Sequence, residues 1–336
     1  MVSAPVVAGA VPLAEVVRGD LVESVHLGHL VVLDPAGDVL LAAGDPDVEI
    51  WPRSSLKPAQ AVAMLRAGLD VPARHVALAA ASHDGTPEHV ALAREILAGA
   101  GLGPADLANT PDLPLDPQAA AAVRAAGRGP DRLTQNCSGK HAAMLATCVA
   151  AGWPTAGYLE PTHPLQEAVR AAVVELAGPG AAGHVTVDGC GAPLFSTTLR
   201  GLARAFARTA GAPDGTPEAR VAGAMSAHPD LVGGRRRDAT LAMRAVPGLV
   251  AKDGADGVYA AGLPGGAALA FKVLDGASRP RPAVLGAALR IAGALDVPGV
   301  DGAALEAMAA TPVEGGGRPV GVVRAAFVPR EAACAP

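Results

Sequence analysis

A serine three residues ahead of a lysine, where a loop turns into a helix, is a unit able to perform acyl transfer, and Ser54-Ser-Leu-Lys57 follows Trp51-Pro-Arg53 at such a junction. Positions i and i+3 share a helix face, so hydroxyl and amine come within reach of each other beside the positive end of the helix dipole. A lysine becomes the activating base once a second cation and partial burial lower its pKa. An N-capping serine with a solvated lysine is the plain alternative. Ser82-His83 follows an alanine-rich run and precedes a new helix, a place for a proton relay or for a capping loop. Asn136-Cys137-Ser-Gly-Lys140-His141 gathers scarce types, because the chain holds two asparagines, four cysteines and four lysines. Its spacing falls short of a P-loop, which removes nucleotide binding. Cys137 and Cys190, the latter in Asp188-Gly-Cys-Gly-Ala-Pro193, read either as a pair of soft metal ligands or as buried structural cysteines. Lys252 ends a strand-like run, where it could serve as the second cation, hold a substrate carboxylate or be an ordinary edge lysine; Lys272 reads as the last of these. Glu23-Ser24 with His26 and His29, and His228-Pro-Asp230 with Gly233-Gly-Arg-Arg-Arg-Asp238, read as pocket rim or as plain structure.

Of the 27 basic residues only four are lysine, and the rest are arginine. A guanidinium stays charged in proteins, so a lysine retained against this bias marks a position that needs a titratable amine. A formal charge of -5 and 2% aromatic residues leave little with which to cradle phosphates or stack bases, so no nucleic-acid partner is expected. The first 14 residues lack Lys and Arg and are broken by Pro5 and Pro12, unlike a signal peptide, and no apolar run reaches the ~20 residues of a membrane span. Four cysteines are too few for a disulfide framework. A cytoplasmic protein with no membrane partner is expected.

These residues need a frame. Two apolar runs, Ser24 to Leu33 and Val39 to Ala43, flank Asp34-Pro-Ala-Gly-Asp38 and predict a hairpin. A helix is expected to start just before Lys57, with Pro58 in its first turn. Further helical patterns run over Pro87–Ala100, Gly139–Ala151, Pro164–Ala177, Thr197–Ala210, Glu218–Ala227 and Asp238–Ala245. Strand patterns return at Val258–Ala261, Ala267–Val273 and Val320–Phe327, with a helix at Pro282–Leu295, while Gln118–Gly129 reads as helix or surface loop. Strands at both ends around a helical middle predict an α/β (α+β) fold: an antiparallel sheet flanked by helices, from residues 1–73 and 246–336, with a largely helical domain over 74–245 inserted.

Taken together and in this order, Glu23-Ser-Val-His26, Arg53-Ser-Ser-Leu-Lys-Pro-x-Gln60, Ser82-His83, Asn136 to His141, Asp188 to Pro193, His228-Pro229 and Lys252-Asp-Gly-Ala-Asp-Gly257 resemble the bacterial L-asparaginase II family of rhizobial type. The resemblance implies a fold similar to the serine β-lactamases and glutaminases and hydrolysis of L-asparagine to L-aspartate and ammonia. It implies a Ser54 nucleophile paired with Lys57, Ser82 paired with Lys252, and a zinc site of Cys137, Lys140 and Cys190 in which Lys140 binds as a neutral amine. Asp188 is implied beside that site to hold the substrate, with Arg53 and His141 as further substrate-binding residues, and a homodimer is implied as the assembly. If Lys57, Lys140 and Lys252 cluster, at least two must be neutral to act as base or ligand. A glutaminase or other amidase of the same fold is the near rival, and a non-catalytic zinc-binding protein the distant one. A β-lactamase is less consistent, because no Lys-Thr-Gly follows the helical middle.

Overall fold

The computed structural model describes residues 5–327, so Cys334 lies outside them. The chain opens with strands β1 (Val11–Arg18), β2 (Leu21–Leu33), β3 (Val39–Ala43) and β4 (Glu49–Ile50). A 3₁₀ turn over Arg53–Leu56 leads into α1 (Lys57–Arg66), followed by α2 (Ala73–Ala79), α3 (Pro87–Gly99), α4 (Pro117–Ala125), α5 (Ser138–Ala151) and α6 (Pro164–Ala177). Short strands β5 (Val185–Val187), β6 (Pro193–Phe195) and β7 (Thr197–Thr198) precede α7 (Leu199–Ala210), α8 (Pro217–Ala227), α9 (Pro229–Val232) and α10 (Asp238–Ala245). The last elements are β8 (Val250–Gly254), β9 (Val258–Gly262), β10 (Ala268–Val273), α11 (Arg281–Ile291), α12 (Gly302–Ala309), β11 (Thr311–Gly315) and β12 (Arg318–Ala325).

The main sheet is antiparallel and runs β11-β12-β1-β2-β10-β9-β8, with β3 also paired to β2. Its strands come from the two ends of the chain, as the patterning predicts, and helices flank it. The expected hairpin is β2–β3, closed by Asp34 N–H to the Asp38 carbonyl. The ambiguous segment after Asp116 forms α4, whose first turn the Asp116 carboxylate caps through the Ala119 N–H. Alternation alone does not reveal β1, since its register with β2 shifts between Pro12 and Ala14 and again between Val16 and Val17. Helix α2 is also missed by periodicity, being seven residues long with no side-chain cap.

With few aromatic rings, the core is filled by alanine, valine and leucine on closely packed helices. Ser138 to Cys148 of α5 are all buried, and a Cβ at Gly139 would fall 2.4 Å from Cγ of Leu78 on α2. Although α7 lies within the segment expected to form the helical domain, it packs on β2, β9 and β10, and one continuous hydrophobic cluster joins helices and sheet.

Candidate active site

The Arg53–Leu56 turn presses on the end of β8, where a Cβ at Gly254 would fall 2.5 Å from the Pro52 carbonyl oxygen, and Ser55 Oγ donates to the Lys252 carbonyl at 3.2 Å. That close approach sets Ser54 at the sheet edge, immediately before α1. Ser54 is half-buried, and among the described residues its hydroxyl has no hydrogen-bond partner. The residue before it, Arg53, adopts φ 52°, a left-handed conformation that costs energy outside glycine and persists where the surroundings over-determine it. Here two carboxylates do so: Arg53 Nε donates to Asp188 at 2.7 Å and Nη1 to Asp256 at 2.6 Å. Asp256 is itself left-handed, with φ 56°.

One turn on, Lys57 is 1% exposed, and its amine donates to the Ala81 carbonyl at 2.5 Å, Ser82 Oγ at 2.9 Å and Cys137 Sγ at 3.0 Å. The Ser82 segment is held from behind, its N–H donating to the Val232 carbonyl and that of Asp84 to the Gly233 carbonyl. His83 is fully buried, and burial pushes it well below the ordinary histidine range. Because its Nδ1 accepts from the Gly85 N–H, Nε2 carries the proton toward Ser138 Oγ.

Cys137 stands at the N-terminus of α5, Lys140 and His141 lie in its first turn, and Cys190 sits in the β5–β6 turn. Lys140 Nζ donates to Cys190 Sγ at 3.2 Å. Cys137 Sγ donates to Asn136 Oδ1 at 3.2 Å; the neighbouring Cys190 and burial push the Cys137 thiol up to about 12, while Cys190 is lowered to about 4 by Cys137 and by Lys140. Burial alone would depress Lys140, but the Cys190 thiolate, with Cys137 and Asp188, holds it above the ordinary lysine value. His141 is also fully buried and depressed by desolvation; its Nδ1 meets the Tyr158 hydroxyl at 2.9 Å, while Nε2 has no partner among the described residues. Cys137 and Cys190 share one buried cluster and Lys140 Nζ meets Cys190, so two sulfurs and an amine are the soft donors available here; among the described residues no group of three His, Cys, Asp or Glu side chains is placed to hold a metal ion.

Lys252 differs from expectation. Instead of pairing with Ser82, its amine donates to the Asp253 carbonyl at 2.7 Å and to the Asp253 carboxylate at 2.6 Å. Desolvation lowers Lys252 to about 8, opposed by Asp253 and reinforced by Lys57 and Arg237. Lys272 is not an edge lysine, since β10 lies between β2 and β9. Its amine reaches the Asp256 carbonyl and, with Trp51, Arg53, His184 and Val187, lines a cavity of about 570 Å³. His26 bonds Asp275 at 2.7 Å, and His29 bonds the Val6 carbonyl and the Asp45 N–H, both as structural ties.

The sequence profile of the family described as L-asparaginase II matches residues 14–325. The chain belongs to the L-asparaginase II family. Membership implies a hydrolase and accords with the motifs that converge on Ser54, Lys57 and Ser82. No curated protein matches this L-asparaginase II family member. Among solved structures it is similar to a protein described as Mglu in its native form, with 17% identity, a TM-score of 0.42 and 80% of this chain covered. The match spans 65% of the length of that protein. It is also similar to a β-lactamase from Mycobacterium bovis, with 16% identity and a TM-score of 0.36, covering 79% of this chain and 94% of the other. Among the described residues of this family member, no helix is long and apolar enough to cross a membrane.

Cys190 lies against Cys137 and accepts from Lys140, the neighbourhood implied by the resemblance, and Asp188 was named with them, whereas Asp84, Asp253 and Asp256 were not singled out. Asp253 and Asp256 lay inside the motif that drew attention to Lys252, and Asp84 directly after Ser82-His83. Their charge was visible, but not the distant arginines they face: Arg237 for Asp84, Arg281 for Asp253 and Arg53 for Asp256.

Proposed function

We propose that this protein is an L-asparaginase that hydrolyses L-asparagine to L-aspartate and ammonia through a seryl acyl-enzyme. The observation that supports this best is the 2.9 Å bond from Lys57 Nζ to Ser82 Oγ, one helical turn from the unbonded hydroxyl of Ser54. In this reading Lys57 in its neutral form takes the Ser54 proton by way of Ser82, and Ser54 Oγ forms a bond to the side-chain amide carbon. Backbone N–H groups of the 3₁₀ turn stabilise the oxyanion. Lys57 then returns the proton to the leaving nitrogen, the C–N bond breaks, and a water repeats the sequence on the aspartyl ester. Lys252 is the second amine, available to Ser82 once it leaves Asp253. Arg53 binds the substrate carboxylate, and Asp188 holds the substrate amino group with His141 beside it.

Cys137, Lys140 and Cys190 would hold zinc, which when bound supplies a positive centre that orients the substrate. The chain acts as a cytoplasmic homodimer in this reading. Ser54→Ala tests the nucleophile: ammonia release from asparagine falls by about a thousandfold or more, while fold and metal content stay as they are. Retained activity removes Ser54 from this role. Glutamine and a β-lactam, assayed beside asparagine, test the substrate class.

A further inference from the structure

The acid that captures Lys252 carries an inference which rests on the Ser-Lys reading above and deepens it. Neighbouring residues on a strand point to opposite faces, so a carboxylate at 253 is not by default a partner for the amine at 252. Lys252 nevertheless curls its four-carbon stem back to reach both the carbonyl and the carboxylate of Asp253. The carboxylate is anchored in turn, with Arg281 Nη1 at 3.4 Å and Arg237 Nη1 at 3.9 Å. Arg281 also pairs with Asp238 at 3.2 Å. Arg237 Nε donates to Asp84 at 2.8 Å, two residues beyond Ser82. Gly234 completes this clasp, since a Cβ there would lie 1.7 Å from Oδ2 of Asp84.

We propose that Asp253 is a positioning residue for Lys252, holding the amine on a buried ion network that Arg237 shares with the loop bearing Ser82. A protonated Lys252 stays on the carboxylate, because leaving it would put an unpaired charge in a fully buried position. A neutral amine has less to lose and can turn to Ser82. Position and protonation are thereby coupled, so the amine is delivered only in the form able to accept a proton. The charged groups around it are Asp253 on its own strand, Lys57 on α1, Arg237 ahead of α10, and, behind Asp253, Asp238 on α10 and Arg281 on α11.

The full-length chain labelled with ¹³C at lysine Cε tests this, since four lysines give four side-chain signals and Lys252→Met identifies one of them. In Asp253→Asn the Lys252 titration midpoint falls by about one pH unit, and Asp253→Glu returns it. Arg237→Gln removes a cation and raises the midpoint. An unmoved midpoint in Asp253→Asn, or an unmoved or lowered one in Arg237→Gln, overturns the proposal; should Asp253→Asn fail to fold, Arg237→Gln decides alone. The acid limb of kcat follows the midpoint in each variant, with KM for asparagine within about twofold. A limb that stays fixed while the midpoint moves overturns the coupling to catalysis. Absence of ammonia release from asparagine by the unaltered protein strikes the asparaginase reading instead, and the lysine signals report independently of turnover.

Discussion

The four lysines have different fates once their neighbours are known. Lys57 spends its amine on a carbonyl, a hydroxyl and a sulfur, Lys140 donates to the Cys190 sulfur, Lys252 rests on Asp253, and Lys272 props the turn that holds Arg53. Only their partners distinguish them, and for Lys57 and Lys140 those partners lie at least 24 residues away in the chain. Lys252 also has a signature in stability. Its folded value of about 8 lies below the ordinary 10.5, so below pH 8 the unfolded chain holds a proton more tightly than the folded one and folding carries a penalty. As pH rises from about 8 to 10.5 that penalty is relieved, adding up to about 3 kcal/mol to folding stability. Urea unfolding at several pH values through this window should show the rise in the unaltered protein and its loss in Lys252→Met. Equal slopes in both proteins would mean that Lys252 is not depressed.

At the scale of elements, the site is made by a turn, a strand end and a helix start that meet because two glycines let them. Gly254 admits the Arg53–Leu56 turn against β8, and Gly139 lets α5 approach α2, which brings Cys137 toward Lys57. Gly254→Ala should therefore cost about 1–3 kcal/mol and lower kcat, because the turn must shift away from the new methyl group. Thermal unfolding and asparagine turnover measured on the same sample check this; unchanged values of both would show that the turn does not depend on the contact. Helix boundaries were largely legible from sequence where a proline or capping residue marks them, as at Thr86-Pro87, His163-Pro164 and Thr216-Pro217. The Thr197–Ala210 pattern starts two residues late as α7, because Thr197 and Thr198 pair with β4. Strand β1 stayed hidden because bulges break the alternation that reveals a strand.

For the whole molecule, the zinc reading predicts a linkage that needs no activity assay. A cation held by Cys137, Lys140 and Cys190 ties α5 to the β5–β6 turn, so zinc should raise Tm and a chelator should reverse the rise. Cys190→Ser should abolish the increment; a zinc-dependent Tm that survives this change places the metal elsewhere. By itself the sequence determined the classes of chemistry available, the strand-helix-strand order and the identity of the scarce nucleophiles, amines and thiols, because these depend on residue type and local spacing. Tertiary structure alone decided which amine meets which hydroxyl or acid. Lys57 and Ser82 are 25 positions apart, Arg53 and Asp188 135, and Arg237 and Asp84 153. Over such separations no local pattern constrains the pairing, and the partner and protonation state of each group follow from the packing that brings the segments together.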